Sequence, residues 1–169
     1  LEALKNSQIE QQKLALMLDN TDDFVVLFSL EGQVLYINKS GKAMRGIDDE
    51  VDINTLKISD FEVVEDSKVS LMQDVVPYVK QHKQWVGELV QKNIKDDDKV
   101  DVHTSVFPVI DNETNEWLCL AMIQRDITLQ KAAQAMLIAQ EETLRHSAAE
   151  LEVKVQQLNE AQGEMKEAK

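Results

Sequence analysis

The chain has 169 residues, of which 43% are hydrophobic, so it can bury the core of one ordinary domain with extensions and is not a disordered protein. Its net charge of −13 repels phosphate backbones and anionic lipid, which argues against nucleic acid and membrane surfaces as partners. No apolar run approaches the roughly 20 residues that span a bilayer. The single cysteine, Cys119, cannot form an internal disulfide, and this favours a reducing, cytoplasmic compartment. Because the sequence starts at Leu1 rather than Met and ends inside a predicted helix, we interpret it as a fragment of a longer chain.

The first part of the chain predicts a helix, a hairpin and a second, short helix. Residues 1–20 carry apolar side chains at helical spacing without turn formers, which predicts an amphipathic helix. Two short runs rich in β-branched and aromatic residues, at 24–28 and 34–37, predict a hairpin. Asn38 is then placed to cap a short helix that ends at Gly46.

The middle of the chain predicts turns and a helix, followed by three strands. Residues 48–65 are acidic and predict short turns, and residues 67–82 predict a helix with a break or kink at Pro77. The strands are predicted at residues 85–91, 100–109 and 117–125. After Thr128 the chain has no Pro and a single Gly, which predicts one long helix.

Four segments carry a resemblance to a known family. They are the hairpin with its trailing Asn38, then Pro77 followed by Trp85, Gly87 and Glu88, then Phe107, Pro108 and Val109, and finally Asp126, Ile127 and Thr128. In this order and spacing they resemble the PAS family, the small sensory domains of bacterial receptors, kinases and cyclic-dinucleotide enzymes. The family often has Asp-Gly where this chain has Asp96, Asp97 and Asp98, so we expect a remodelled turn there.

The resemblance implies an α+β fold, with a five-stranded antiparallel sheet and short helices on one face. We expect three parts: an N-terminal amphipathic helix over residues 1–20, a PAS domain over 21–128, and a C-terminal coiled-coil signalling helix over 129–169.

The last part of the chain has an apolar repeat of seven residues. Leu137, Leu144, Leu151, Leu158 and Met165 form one line, and Ala148 and Val155 occupy the alternate position between them. This spacing predicts a coiled-coil seam and favours a parallel homodimer, although Glu141 and Gln162 are poor core residues at the alternate position. The alternative is that the stripe packs back on its own domain. The segment also resembles the coils that join PAS domains to the output domains of chemoreceptors and cyclases.

Strand alternation predicts which side chains line the inside of the sheet. If Gln124 faces inward, the lining includes Val26, Phe28, Val102, Thr104, Val106, Leu120, Met122 and Gln124. Such a lining fits a small, mostly apolar ligand steered by Gln124 and Thr104, or a filled core without any ligand.

Cofactor expectations follow from the resemblance. In blue-light PAS receptors, flavin is held by paired Asn residues, by a Gln two residues before the final Asp, and by a reactive Cys on an early helix. Gln124 matches that Gln, but the Asn positions fall near Val102 and Lys92 and the early helices contain no Cys. Photochemistry is therefore disfavoured, and a bound flavin stays an alternative.

The three histidines do not match haem or phosphotransfer sites. His82 lies later than the family's haem-ligating position, and His103 should face away from the lining if Val102 faces in. His146 occupies an outward heptad position without the neighbours of a kinase phosphorylation motif, and so we interpret it as a surface residue. Haem is disfavoured.

Catalytic and metal-binding patterns are missing from the sequence. There is no Gly-rich phosphate loop, no Cys pair, no paired-histidine zinc motif and no nucleophile elbow. The acidic runs at residues 48–50 and 96–98 lack the oxygen spacing of a calcium loop. We therefore expect neither an enzyme nor a metal site.

Together these features predict a sensor and dimerisation module of a larger cytoplasmic signalling protein. A change at the inner lining or at the dimer contact would shift the last strand, and Asp126, Ile127 and Thr128 would pass that shift to the coiled coil. The downstream output domain of the same polypeptide could be a chemotaxis receptor tip, a two-component kinase or a diguanylate cyclase. The alternatives are a ligand-free PAS domain that only dimerises and relays strain, and a fragment leading into a kinase or cyclase.

Overall fold

Five antiparallel strands form one sheet, and they follow the apolar and β-branched runs of the sequence. A computed structural model describes residues 1–168. The strands are β1 (Phe24–Phe28), β2 (Val34–Ile37), β3 (Trp85–Lys92), β4 (Lys99–Ile110) and β5 (Trp117–Asp126). The helices are α1 (Glu2–Asp19), α2 (Lys39–Met44), α3 (Val64–Ser67), α4 (Val76–His82) and α5 (Thr128–Glu167). The expected α+β architecture, with a helix before the sheet and a long helix after it, is confirmed.

The last strand lies in the middle of the sheet. The strand order is β2-β1-β5-β4-β3, so β5 pairs with β1 on one side and with β4 on the other. On β4, Val102, Thr104 and Val106 are buried and His103 between them is exposed, as the period of two requires. Any displacement of β5 therefore affects both halves of the sheet.

Helical segments cover the inner face of this sheet and complete the core. Phe61, Leu71, Val75 and Val79 come from these segments and are fully buried in the same cluster as the inward strand residues. The ring of Phe61 meets that of Phe24 edge-on, with centroids 5.9 Å apart. Each fully buried side chain of this size contributes roughly 1.5–3 kcal/mol, so this face stabilises the domain.

The predicted helix over residues 67–82 is wrong in its first part. Lys68 adopts a left-handed φ of 58° after α3, and the chain becomes helical again only in the π-helical turn Leu71–Val75, which leads into α4. The Ser70 hydroxyl caps that turn by accepting a backbone N–H at 3.3 Å. Pro77 lies in the first turn of α4, where a backbone N–H has no partner within the helix, so the proline does not interrupt α4. The break in the predicted helix falls before Pro77, at Lys68.

Residues 93–98 form a loop between β3 and β4. The chain lacks the Asp-Gly pair of a tight turn, and the expectation of a remodelled turn here is confirmed. Asp97 has a φ of 60°, a conformation that Asp tolerates better than most residues. The backbone of Asn93 closes the loop, donating to the Asp98 carbonyl at 2.9 Å and accepting from the Asp97 N–H at 3.0 Å.

Helix α5 has 40 residues and is therefore about 60 Å long. All seven predicted seam residues lie on it and are exposed in the single chain: Leu137, Leu144, Ala148, Leu151, Val155, Leu158 and Met165. An exposed apolar stripe with this period is typical of a helix that pairs with another helix.

Candidate functional site

The inner face of the sheet brings together all the residues predicted to line it. Val26, Phe28, Val102, Thr104, Val106, Leu120, Met122 and Gln124 have no solvent exposure. Strand pairing sets Thr104 on β4 opposite Gln124 on β5, so these two side chains form a short polar row on this face. The six apolar members belong to one packed cluster. Their contact with a ligand stays a prediction.

A buried arginine, Arg45, joins this polar row and was missed by the sequence reasoning. It directly follows α2, has no solvent exposure, and its Nη2 donates to the Gln124 Oε1 at 2.7 Å. The Gln124 Nε2 donates in turn to the Thr104 Oγ1 at 3.2 Å. The guanidinium carbon lies 4.8 Å from the centroid of the Phe24 ring, a cation–π contact. Arg45 follows the buried Gly41 by four residues and so shares its inward face, which becomes apparent only once α2 packs against the sheet.

The charge of Arg45 is only partly compensated. Its Nε and Nη1 have no hydrogen-bond partner in the described part of the chain. Burial lowers the pKa of Arg45 to about 10, and the nearby carboxylate of Asp126 opposes that shift. The guanidinium therefore stays protonated at neutral pH, although an unpaired buried charge costs several kcal/mol.

A second unpartnered polar group and a cavity lie at the same end of the sheet. The Gln91 side chain is 1% exposed, and its Oε1 accepts no hydrogen bond from the described residues. Gln91 pairs across the strands with Val100, which lines a cavity of about 160 Å³. The full lining is Met44, Arg45, Asn93, Asp98, Lys99, Val100 and Asp126. The cavity is thus lined by Arg45, which keeps two unpartnered guanidinium nitrogens, and Gln91 is the cross-strand neighbour of another lining residue.

Asn38 joins three elements at the entrance to the domain. Its Oδ1 accepts the Gly41 N–H at 3.0 Å, which is the predicted cap of α2, and also the Val25 N–H at 2.9 Å. Its Nδ2 donates to the carbonyls of Leu18 and Asp23, both at 2.9 Å. The sequence predicted the cap only; the other three bonds fix the end of α1 against β1.

The predicted relay residues lie where β5 ends and α5 begins. The Asp126 Oδ1 accepts hydrogen bonds from the Thr128 N–H at 2.8 Å and from the Thr128 hydroxyl at 2.5 Å. Ile127 is buried, and its N–H donates to the Asp101 carbonyl at 3.0 Å. The carboxylate thus satisfies a free N–H of the first helical turn, and Ile127 anchors the exit to β4.

An ion pair connects the exit strand to the chain segment between α1 and β1. The Arg125 Nε and Nη2 donate to the two carboxylate oxygens of Asp23, each at 3.1 Å. This two-pronged geometry is the most specific form of an arginine–carboxylate pair. It gives the N-terminal segment a direct contact with β5.

The histidines lie away from the inner face. His82 is exposed, with its Nδ1 3.2 Å from the Tyr78 carbonyl, and His103 is exposed on β4. The Nε2 of His146 lies 3.2 Å from a carboxylate oxygen of Glu150 on α5. Within residues 1–168, no group of three or more His, Cys, Asp or Glu side chains could hold a metal ion.

The positions compared with flavin receptors carry different chemistry. Val102, near one of the implied Asn positions, is a buried apolar side chain, and Lys92, near the other, ends β3. The amide of Gln124 is engaged on both sides, by Arg45 and by Thr104. The paired side-chain amides that the resemblance implies for flavin are therefore missing from these positions.

Solved structures provide the comparison for this arrangement. The chain is similar to the PAS domain of a protein from Colwellia psychrerythraea, with a TM-score of 0.61 and 23% identity over 70% of this chain and 97% of that one. It is also similar to the PAS domain of an HTR-like protein from Haloarcula marismortui, with a TM-score of 0.59 and 16% identity over 75% and 98% of the two chains. A PAS domain from a two-component sensor histidine kinase gives a TM-score of 0.56 and 15% identity over 71% and 98%.

These likenesses establish the class of domain. The chain has the PAS fold, as the sequence motifs predicted. No family model matches the sequence, and no curated protein matches it either. None of the described helices combines the length and apolar character that a bilayer crossing requires.

Proposed function

We propose that this chain is a sensory and dimerisation module of a larger signalling protein, and that it passes a change on the inner face of the sheet to α5. The observation that carries the proposal is the position of Gln124. This side chain bonds to Arg45 and Thr104 inside the domain and lies two residues before Asp126, on the central strand that leads into α5. A change in the partners of Gln124 would displace β5, and the exit residues Asp126, Ile127 and Thr128 follow it directly.

Dimerisation through α5 is the second part of the proposal. The exposed heptad stripe from Leu137 to Met165 supports a parallel homodimer in which each copy covers the stripe of the other. Glu141 and Gln162 at the alternate position weaken the pairing locally, which suits a coil that changes its rotation or register. A bias of a few kcal/mol between two such states is enough for a signal.

The module acts in the proposal by binding and relay, and not by catalysis. Its output belongs to a downstream domain of the same polypeptide in the cytoplasm, of the kinase, cyclase or chemoreceptor class. Support comes from one similar structure, a PAS domain from a two-component sensor histidine kinase.

The dimer is tested by charge substitutions on α5. Leu144→Glu combined with Leu151→Glu should weaken self-association by at least about 100-fold, because buried carboxylates cost several kcal/mol and about 1.4 kcal/mol is tenfold in affinity. The matched control is Val153→Glu, which adds a charge to an exposed outward position of the same helix. Sedimentation equilibrium on the full chain measures both. An unchanged dimer in the double variant would show that α5 is not the main contact, and α1 would become the better candidate.

A second candidate function is a PAS domain without a ligand, which only dimerises and relays strain from neighbouring domains. The observation in its favour is that all eight inner-face residues have no exposed surface. Native mass spectrometry together with an absorption spectrum of the purified chain separates the two candidates. A co-purified small molecule supports the sensor. An apparent mass equal to the polypeptide in every preparation, together with no change in thermal midpoint on addition of small molecules at millimolar concentration, supports the relay.

A further inference from the structure

We propose that Arg45 is the receptor for a small monocarboxylate, which reaches it from the cavity between α2 and the adjoining ends of β4 and β5. The proposal rests on the sensory function proposed above and names the chemical class of its ligand. Two features carry it: a buried guanidinium whose Nε and Nη1 have no hydrogen-bond partner among the described residues, and a cavity that Arg45 itself lines.

The guanidinium is the stronger of these features. Arg45 has no solvent exposure. Among the described residues its guanidinium donates one hydrogen bond, and the acceptor, the Gln124 side chain, is neutral. A buried charge of this kind is ordinarily paired with an anion. The carboxylate that partly offsets this charge, Asp126, already accepts two hydrogen bonds from Thr128. The described residues therefore compensate the guanidinium charge only in part, and the two free nitrogens can still bind an anion.

The chemistry of the donors favours a carboxylate. The free Nε and Nη1 present planar N–H groups, and charge-assisted hydrogen bonds from a guanidinium to a carboxylate are among the strongest in proteins.

The cavity limits both the size and the charge of the ligand. Its volume is about 160 Å³, which accommodates a molecule of a few heavy atoms. Asp98 and Asp126 are part of the lining, and Lys99, the second cation in it, is already paired with Asp66 at 2.7 Å. The whole chain carries a net charge of −13. The lining carboxylates and the net charge both repel a second negative charge, so a monocarboxylate fits better than a dicarboxylate or phosphate.

Access requires a rearrangement, because the guanidinium has no exposed surface in this state. The ligand binds the fraction of molecules in which the side chains between cavity and guanidinium have moved apart, and the apparent affinity is reduced by that fraction. A carboxylate bound side-on by Nε and Nη2 takes the place of the Gln124 Oε1 on Nη2. Loss of the Arg45–Gln124 bond is the local event that would release β5, which connects this site to the proposed relay.

The direct test uses the wild-type chain and its arginine Nε–H resonances. The sequence has three arginines, and the other two, Arg125 and Arg145, are exposed and serve as internal controls. Acetate and butyrate should move the Arg45 signal saturably, with half-saturation on the order of 1 mM for so small a ligand. Succinate should bind at least about tenfold more weakly. Sodium chloride at equal ionic strength should leave the signal in place.

Variants provide the second arm. Arg45→Met should abolish the rise in thermal midpoint that butyrate produces, whereas the matched control Lys42→Met, in the adjoining helix α2, should retain it. If Arg45→Met does not fold, the wild-type titration still decides. The proposal is overturned if no carboxylate moves the Arg45 signal beyond the chloride control at 100-fold the expected half-saturation. It is also overturned if phosphate moves the signal and carboxylates do not. Survival of the butyrate effect in Arg45→Met would overturn it as well. None of these outcomes alters the sedimentation result for α5, so failure of the carboxylate site is distinguishable from failure of the module.

Discussion

The substitution Asn38→Asp tests the account of how the domain is held together at its entrance. The change keeps the acceptor oxygen that bonds the N–H groups of Val25 and Gly41. It removes both N–H donors and sets a carboxylate oxygen against the carbonyls of Leu18 and Asp23, each 2.9 Å from the present amide nitrogen. The side chain is fully buried, so water does not compensate.

The expected cost is about 2–4 kcal/mol of unfolding free energy. Two lost hydrogen bonds account for roughly 1 kcal/mol each, and the carboxylate–carbonyl repulsion in a buried position adds the remainder. The cost should shrink on acidification, because the introduced carboxyl group regains one O–H donor when it is protonated. Asn38→Ala should cost at least as much, since it leaves all four backbone groups without this partner.

Urea unfolding of the full chain, extrapolated linearly to water, measures the difference. Asn54→Asp is the matched control, because Asn54 is exposed and the same chemical change there should stay within about 0.5 kcal/mol. A loss below about 1 kcal/mol for Asn38→Asp, or a loss independent of pH, would refute the four-bond description.

Two further substitutions test local electrostatics. Burial, with the neighbouring Asp74, raises the pKa of Glu62 against the lowering effect of the Leu71 N–H. Its contribution to stability is therefore fully present below the ordinary glutamate pKa and is lost as pH rises through the raised folded value. Glu62→Gln should be more stable than wild type at pH 7 in urea unfolding and should lose that advantage in acid; a constant difference contradicts the assignment. Asp126→Ala should lower the unfolding free energy by about 1 kcal/mol, because it removes the acceptor of the Thr128 N–H. In the longer parent protein it should leave the output unresponsive to its stimulus. A normal response would mean that Asp126 is only a structural cap.

Much of the fold could be predicted because its strands satisfy local and tertiary preferences together. The hairpin and the three later strands were recognisable from β-branched runs and alternation, and Asn38 from its capping position. The segment over residues 67–82 was harder, since its apolar spacing is helical throughout. The break depends on the left-handed turn at Lys68 and the cap at Ser70, which the hydrophobic period does not report.

The inner-face residues were predictable and their polar partner was not. Alternation from Gln124 is enough to find the buried positions on three strands. Arg45 was overlooked because charged residues are rarely fully buried, and its inward position follows only once α2 packs against the sheet. The unpartnered oxygen of Gln91 likewise depends on the tertiary environment.

The most direct test of the central claim measures whether the inner face controls α5 in the dimer. Nitroxide labels at His146→Cys, in a Cys119→Ser background, report the distance between the two copies at an outward position of α5. The account predicts a defined intermolecular distance, which shifts when Gln124→Ala removes both hydrogen bonds of the Gln124 side chain. In a chain that already carries Asp126→Ala, the substitution Gln124→Ala should cause no further shift. A dimer whose distance distribution is the same with and without Gln124→Ala would contradict the relay from the sheet to the helix.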